Sequence, residues 1–379
     1  MKKAIVVGGS NGIGLAITKT LLSSGYFVYI LDKSAPAAQL LEDNFTYIPC
    51  NLLELDGCDF KEFVADKDVC FLMLTAGFGR VAEFEHLHTA EIDRLMTVNT
   101  VSTIKIIRMF YERMKSNNDF YCGVMGSIAG LVSSPLFSVY AASKAALCRF
   151  TESVNIELEQ ANVQNRILTV SPGSIKGTRF NGGENDLSKT LDLAREIIDN
   201  AFQRKTEFIP EFDAVYKQVI DNYQNDPHAF GMSSYDYKMK SGRVDNRDRV
   251  CIGYLSGTFD LFHIGHLNLL RRAKEQCDYL IVGVHPDASH KGKTTYIPYE
   301  ERLQIISAIK YVDKAVMSTR EDSDAWELWK FSKLFVGSDY KGSERFQRYE
   351  EFFKDKQVEI VYFPYTQGTS STQLREKLS

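Results

Sequence analysis

Tyr140 and Lys144 stand four residues apart in the run YAASK. On a helix that spacing puts both side chains on one face. An ammonium beside a phenol favours the phenolate, which would lower the tyrosine pKa and make it a usable proton donor and acceptor. Ser127 ends an apolar run upstream, where its hydroxyl could hydrogen-bond a substrate carbonyl. A second pair lies far downstream: His263 and His266, in GTFDLFHIGH, flank Gly265 at an expected helix start. Two imidazoles on one face, beside the free N–H groups of a helix N-terminus, suit a triphosphate. They could stabilise charge gathering on an α-phosphorus as pyrophosphate leaves, which needs positioning and neutralisation and no covalent nucleophile. His-x-Gly-His offers no third ligand at a sensible spacing, and its step of three is less usual on zinc than the step of four in HExxH. No metal held by protein ligands is expected.

The chain also opens on glycines. VVGGSNGIG carries Gly8, Gly12 and Gly14 after an apolar strand and before an amphipathic helix. Glycines there permit a tight turn and let the backbone approach a pyrophosphate at the helix N-terminus. Asp32 closes the next apolar run. Its carboxylate can accept from adenosine ribose hydroxyls and would repel a 2′-phosphate, which favours NAD(H). Lys33 beside it keeps NADP(H) open.

The elements that position these residues follow from hydrophobic patterning. KAIVVGG, FVYILD, VCFLMLTAG, FYCGVMGS and NRILTVSPG read as buried parallel strands, with amphipathic helices such as IGLAITKTLLSSG between them. This βαβ rhythm predicts a doubly wound parallel sheet, a Rossmann-type α/β domain over residues 1–231. Residues 232–249 have no apolar periodicity and read as a linker. From Val250 the strands VCIGYLSG, DYLIVGVHPD, DKAVMS, KLFVGSD and VEIVYFPY, with helices HLNLLRRAKEQC and YEERLQIISAIK, predict a second, smaller Rossmann-like α/β domain over 250–379. The length of 379 residues fits two domains, and 44% hydrophobic residues suffice for their cores. A net charge of −4 excludes the basic footprint of a nucleic-acid binder, and no run is long enough to span a membrane. MKKAIVVGG reads as a first strand and not a signal peptide. Seven scattered cysteines without a CxxC fit free thiols and a cytoplasmic protein.

GGSNGIG, LTAG, Asn99 in MTVNT, Ser127, YAASK and SPG occur in the order and spacing of the short-chain dehydrogenase/reductase family, which the first 230 or so residues resemble. The resemblance implies a catalytic tetrad of Asn99, Ser127, Tyr140 and Lys144. In it the tyrosine is the acid/base, the serine orients the carbonyl, the lysine holds the nicotinamide ribose and the asparagine orders a relay water. It implies cofactor contacts at Gly8, Ser10, Asn11, Gly12, Ile13, Gly14, Asp32, Ala76, Gly77, Pro172, Gly173 and Ile175. Two positions depart from the family: Asn51 stands for its usual Asp, and Thr75 for its usual Asn. Lys176 and Arg179, in the family's mobile lid segment, are candidate cations for a substrate phosphate.

GTFDLFHIGHLNLLRRAKEQCDYLIVGV, YEERLQIISAIKYVDKAV and GTSST resemble the glycerol-3-phosphate cytidylyltransferase family, within the HxGH nucleotidylyltransferases. This resemblance covers residues 250–379. It implies CTP and Mg²⁺, with Thr258, Phe259, His263 and His266 on the nucleotide phosphates. It assigns Lys291 and Lys293 to a loop bridging acceptor and triphosphate, Lys291 in a catalytic role. It places Gly368, Ser370, Ser371 and Thr372 at the β- and γ-phosphates. Lys310 replaces the family's Arg in KYVD, keeping charge but not bidentate geometry. Tyr365 and Gln367 replace its Arg and Glu in YTQGTSS, and Arg302 in EERLQ is a spare cation.

The pairing predicts a bifunctional enzyme. A phosphorylated ketose or triose would be reduced to an alditol phosphate, and CMP transfer would give a CDP-alditol of the CDP-glycerol or CDP-ribitol type. Such products feed teichoic-acid-like and capsular polymers. The expected partners are small molecules, with self-association as a dimer or tetramer. Two other readings stay open: a reductase joined to a different nucleotidylyl transfer, such as adenylyl transfer to a cofactor precursor, and an NAD(H)-sensing domain that regulates the second.

Overall fold

Strands buried on both faces need helices on both faces, and the fold supplies them. The computed structural model describes residues 1–36, 40, 44–178, 180, 184–247, 250–287 and 294–364, and it divides into two units, 1–248 and 249–379. Arg179, Lys291, Lys293, Tyr365, Gln367, Gly368, Ser370, Ser371 and Thr372 lie outside the described residues.

The first unit runs β1 (Lys3–Val7), α1 (Gly12–Ser23), β2 (Phe27–Asp32), β3 (Phe45–Pro49), α2 (Lys61–Ala65), β4 (Val69–Leu74), α3 (Thr89–Met96), α4 (Ser102–Met114) and β5 (Tyr121–Met125). It continues with α5 (Ser138–Gln160), β6 (Ile167–Val170), α6 (Leu191–Phe202), β7 (Glu207–Phe208), α7 (Lys217–Asn225) and α8 (Pro227–Lys240). Its strands lie in the order β3-β2-β1-β4-β5-β6-β7, each pairing parallel. One face packs Ile5, Val7, Leu72 and Val124 under Ile106, Phe110, Leu147 and Leu158 of α4 and α5. The other packs Ala4, Val6, Val28 and Phe71 under Ile17, Leu21, Ile197 and Ile198 of α1 and α6. The strand order reverses between β1 and β4, so their C-terminal ends frame the crevice where open α/β sheets take ligands.

The second unit runs β8 (Ile252–Gly257), α9 (Ile264–Lys274), β9 (Tyr279–Val284), α10 (Tyr299–Ser307), β10 (Lys314–Met317), α11 (Asp322–Trp329), β11 (Lys333–Gly337), α12 (Glu344–Phe353) and β12 (Glu359–Phe363). The order is β10-β9-β8-β11-β12, again parallel. Both units are Rossmann-like α/β sheets, as the patterning predicts.

Three expectations need correction. Residues 232–247 are not a free linker. Met232–Lys240 complete α8, whose Lys238 is buried, and the chain after it is fastened to the first unit. Asp245 N–H donates to Val81, and the buried Arg80 donates to the carbonyls of Asp245 and Arg247 while paired with Glu91. The cysteines are not all free thiols: Cys50 and Cys58 form a disulfide, and Cys70, Cys122, Cys148, Cys251 and Cys277 are free. Arg302 is no spare cation on a solvated face, for reasons given below. Among the described residues no helix is long and apolar enough to cross a membrane.

Candidate active sites

The glycine turn after β1 cannot carry side chains. Gly8 has φ +84°, and a Cβ on Gly14 would lie 2.1 Å from the Gly8 carbonyl oxygen. Ser10 N–H donates to the Asp32 carboxylate at 3.1 Å, which brings the end of β2 to the turn. The Ser10 hydroxyl is fully buried without a hydrogen-bond partner among the described residues. Gly12 N–H, in the first turn of α1, donates to the Asn185 side chain at 2.9 Å, and Asn185 in turn donates to Asn11. Thr75, where the resemblance anticipates Asn, donates from its hydroxyl to the carbonyls of Val7 and Gly8 and so ties β4 to the turn. An unpaired buried hydroxyl, a narrow glycine cradle and a helix N–H held by a side-chain oxygen fit a dinucleotide pyrophosphate and ribose.

The acid–base group is assembled at the C-terminal end of β5 and along α5. Ser127 accepts from Ala129 N–H at 3.2 Å, and its hydroxyl acts on the Tyr140 phenol in the direction that favours ionisation. Tyr140 is 8% exposed, with Phe137 stacked on its ring at 4.1 Å and Phe180 at 5.4 Å. Lys144 is buried, its ammonium donating to the Met125 carbonyl at 2.7 Å and lying 5.7 Å from the Tyr140 ring centre. Asn99 sits in a π-helical turn, Thr97–Val101, between α3 and α4. Its amide donates to the Phe78 carbonyl and Ser143 hydroxyl and accepts from Phe78 N–H. Asn99 Oδ1 and the Lys144 ammonium lie 3.2 and 3.3 Å from where a Cβ on Gly77 would stand, which brings these two together at the end of β4.

The electrostatics differ from the expectation. Burial pushes the Tyr140 phenol up to about 12, against a smaller lowering by Ser127. Burial also brings Lys144 down to about 8. Desolvation outweighs the cation here, so the tyrosine is a protonated donor and not a phenolate in the protein alone. Pro172, Gly173 and Ile175 follow β6, and the Pro172 carbonyl accepts from Ile128 N–H. Tyr216 crosses this segment: a Cβ on Gly173 would lie 1.5 Å from its phenol oxygen. Sequence reasoning missed Tyr216, which no motif marks. Lys176 is exposed.

In the second unit His263 caps α9. Its Nδ1 accepts from Gly265 N–H at 3.0 Å, which leaves Nε2 as the N–H donor. Burial holds its pKa below the ordinary value, so the neutral ring is the resting form. The His263 and His266 rings stack at 4.0 Å, with Phe259 and Phe262 at 5.4 and 5.5 Å from His266. The turn before them is strained: Phe259 and Leu261 have φ of +52° and +50°. Asp260 pins it, accepting from Tyr296 and Ile297 N–H groups at 3.1 and 3.0 Å. Thr258 Oγ1 is buried without a hydrogen-bond partner among the described residues. Arg302 is fully buried and donates to the carbonyls of Thr258, His285, Pro286 and Ile297. It braces this turn against the end of β9, with four of its five N–H groups committed to backbone carbonyls. Lys310 is exposed, its ammonium over the Tyr311 ring. Asp260 and Arg302 are the residues whose place the sequence did not reveal; the alternation of GTFD with a buried carboxylate is the only signal.

The family model for short chain dehydrogenases matches residues 2–188, and the cytidylyltransferase-like model matches residues 254–377. The chain is 36% identical over 126 residues to a glycerol-3-phosphate cytidylyltransferase of Staphylococcus aureus, covering 32% of this chain and 90% of that protein. It is 30% identical over 201 residues to carbonyl reductase family member 4 of Xenopus tropicalis, covering 51% of this chain and 84% of that protein. A short chain dehydrogenase of Burkholderia cenocepacia solved in complex with NADP shares the fold of the first unit at a TM-score of 0.51 and 21% identity, covering 62% of this chain and 99% of that one.

Proposed function

Because the chain belongs to the short-chain dehydrogenase family through its first unit and to the cytidylyltransferase-like family through its second, making it a bifunctional oxidoreductase and nucleotidyltransferase, we propose that it acts twice on one carbon skeleton. It reduces a phosphorylated ketose or triose with NAD(P)H to an alditol phosphate. It then transfers CMP from CTP, taken as its Mg²⁺ complex, to give a CDP-alditol and pyrophosphate. The observation that carries this reading is the co-occurrence on one chain of a carbonyl-directed Ser127–Tyr140 pair and a phosphate-directed His263–His266 helix cap. A reductase makes the alcohol of a polyol phosphate, and a cytidylyltransferase of this kind consumes that phosphate.

In the first site the dinucleotide is held by the Gly8–Gly14 turn, Ser10 and Asp32, and when bound it supplies the hydride. Ser127 holds the carbonyl oxygen, and Tyr140 gives that oxygen its proton as negative charge develops there. Lys144 keeps a positive charge behind the pair, and Asn99 fixes the turn from which the proton is replaced. In the second site His263 and His266 donate to the α-phosphoryl oxygens. An acceptor phosphate oxygen bonds to the α-phosphorus, and the bond to the β-phosphate oxygen breaks.

Incubation with NADH or NADPH, CTP, Mg²⁺ and a panel of ketose and triose phosphates tests this, with products read by mass. An alditol phosphate without CTP and a CDP-alditol with it are expected. Faster turnover of ATP than CTP would favour a different nucleotidylyl product.

Two further outcomes are expected. Reduction should hold steady up to about pH 8 and fall above it, because Lys144 loses its charge near there while Tyr140 stays protonated to about 12. Initial rates from pH 6 to 10 check the sign, since a fall on the acid side would assign the limb to another group. NADH should be preferred over NADPH, because a 2′-phosphate would meet the Asp32 carboxylate at the Ser10 turn. Asp32→Ala should move the ratio of kcat/KM values toward NADPH by about tenfold, or roughly 1.4 kcal/mol.

A further inference from the structure

One buried cation in the first unit has no counter-charge. Lys238 of α8 is 8% exposed, and no carboxylate among the described residues pairs with it. Its ammonium donates to the Ser134 hydroxyl at 2.8 Å, the Pro135 carbonyl at 2.9 Å and the Ser234 hydroxyl at 3.0 Å. Three neutral oxygens satisfy its hydrogen bonds but leave its charge uncompensated. Burial, and to a smaller extent the charge of another cation, Arg243, bring Lys238 down to about 8.

The surroundings are rich in uncommitted hydroxyl protons. The hydroxyls of Ser134 and Ser234 accept from Lys238, and each keeps its own O–H to donate. The Ser133 hydroxyl is buried without a partner among the described residues. It lies 3.5 Å from where a Cβ on Gly231 would stand, which places this face of α8 in van der Waals contact with the loop. Gly231, Ser234 and Lys238 follow steps of three and four and share one face of the helix. Hydroxyls polarised by an ammonium, beside a cation lacking an anion, are the chemistry of a phosphate site.

The loop concerned leads directly to the acid–base pair. Phe137 N–H donates to the Ser134 carbonyl, Leu136 holds a left-handed φ of +62°, and the Phe137 ring stacks on Tyr140. Three residues from Ser134 to Phe137 span at most about 11 Å. We infer that Ser133, Ser134, Ser234 and Lys238 form the subsite that holds the phosphate monoester of the carbonyl substrate during reduction. This rests on the proposed reductase reading and names the group that selects a phosphorylated substrate, in place of the exposed Lys176.

The test compares a phosphorylated carbonyl substrate with its unphosphorylated parent in the full chain. Ser133→Ala and Lys238→Met should lower kcat/KM for the phosphorylated compound by roughly tenfold or more and leave the parent unchanged, with Lys238→Arg recovering part of the loss. Equal falls for both compounds would overturn the inference, because a purely structural tie between α8 and the loop acts on both. Ser133→Ala keeps every Lys238 contact, so it decides the matter should Lys238→Met fail to fold. If the wild-type protein reduces none of the compounds, the reductase reading fails separately. Calorimetric titration with inorganic phosphate then decides the site: one binding event lost in Ser133→Ala supports it, and identical heats overturn it.

Discussion

Tyr140→Phe is expected to lower carbonyl reduction by about a thousandfold or more while CMP transfer to a supplied alditol phosphate proceeds at the wild-type rate. A positioned general acid contributes roughly 10²–10⁴ in rate, and in the proposed reading that acid is the buried, protonated Tyr140 phenol beside Ser127. The substitution removes one oxygen and keeps the ring, so the stack on Phe137 and the contact with Phe180 survive. Ser127 retains Ala129 N–H and the Pro172 carbonyl as partners, and the pocket wall should hold its shape. Each unit closes its own sheet around its own core, and Tyr140 belongs to the first. Cofactor oxidation and CDP-product formation, measured on the same preparation with its melting temperature, check both halves. Loss of both activities at an unchanged melting temperature would show that the two reactions are coupled.

What could be read from the chain divides along physical lines. Strands such as KAIVV and VCFLML are buried on both faces, so their apolar runs announce them. β3 is a half-exposed edge strand, FTYIP, and β7 has two residues; neither leaves enough apolar pattern to stand out. α8 was hidden for a different reason. Its apolar residues, Phe230, Met232, Tyr235, Tyr237 and Met239, do not gather on one face, and the buried Lys238 that ties it to the loop is marked by no periodicity. The backbone-shaping residues of the sites, Gly8, Gly14 and the His263 cap, were legible because their roles are local. Long-range roles were not. Arg302 looks like an exposed helix cation until the chain brings four carbonyls around it, and Tyr216 reaches Gly173 only through the fold. The Tyr140 pKa shows the same limit: spacing places Lys144 on its face correctly, but the depth of burial, which decides the sign, is a tertiary property.

His266→Ala should slow CMP transfer by about a hundred- to a thousandfold, or ~2.7–4 kcal/mol, with little change in CTP affinity. Charge on the transferring phosphoryl group grows toward the transition state, so a donor aimed at it acts mainly on that state and appears in kcat. The competing account makes His266 a packing residue, since its ring stacks on His263 and contacts Phe259 and Phe262. The helix cap separates the two accounts. His263, not His266, accepts from the first-turn N–H of Gly265, so His263→Ala should cost about 1 kcal/mol of stability in addition to its rate loss. His266→Ala removes no cap and should lose rate at nearly unchanged melting temperature. CDP-product formation at saturating CTP, with thermal unfolding of both variants, gives the comparison. A near-wild-type rate and a lowered melting temperature in His266→Ala would assign that imidazole to the aromatic packing, and would leave His263 to carry the phosphoryl charge alone.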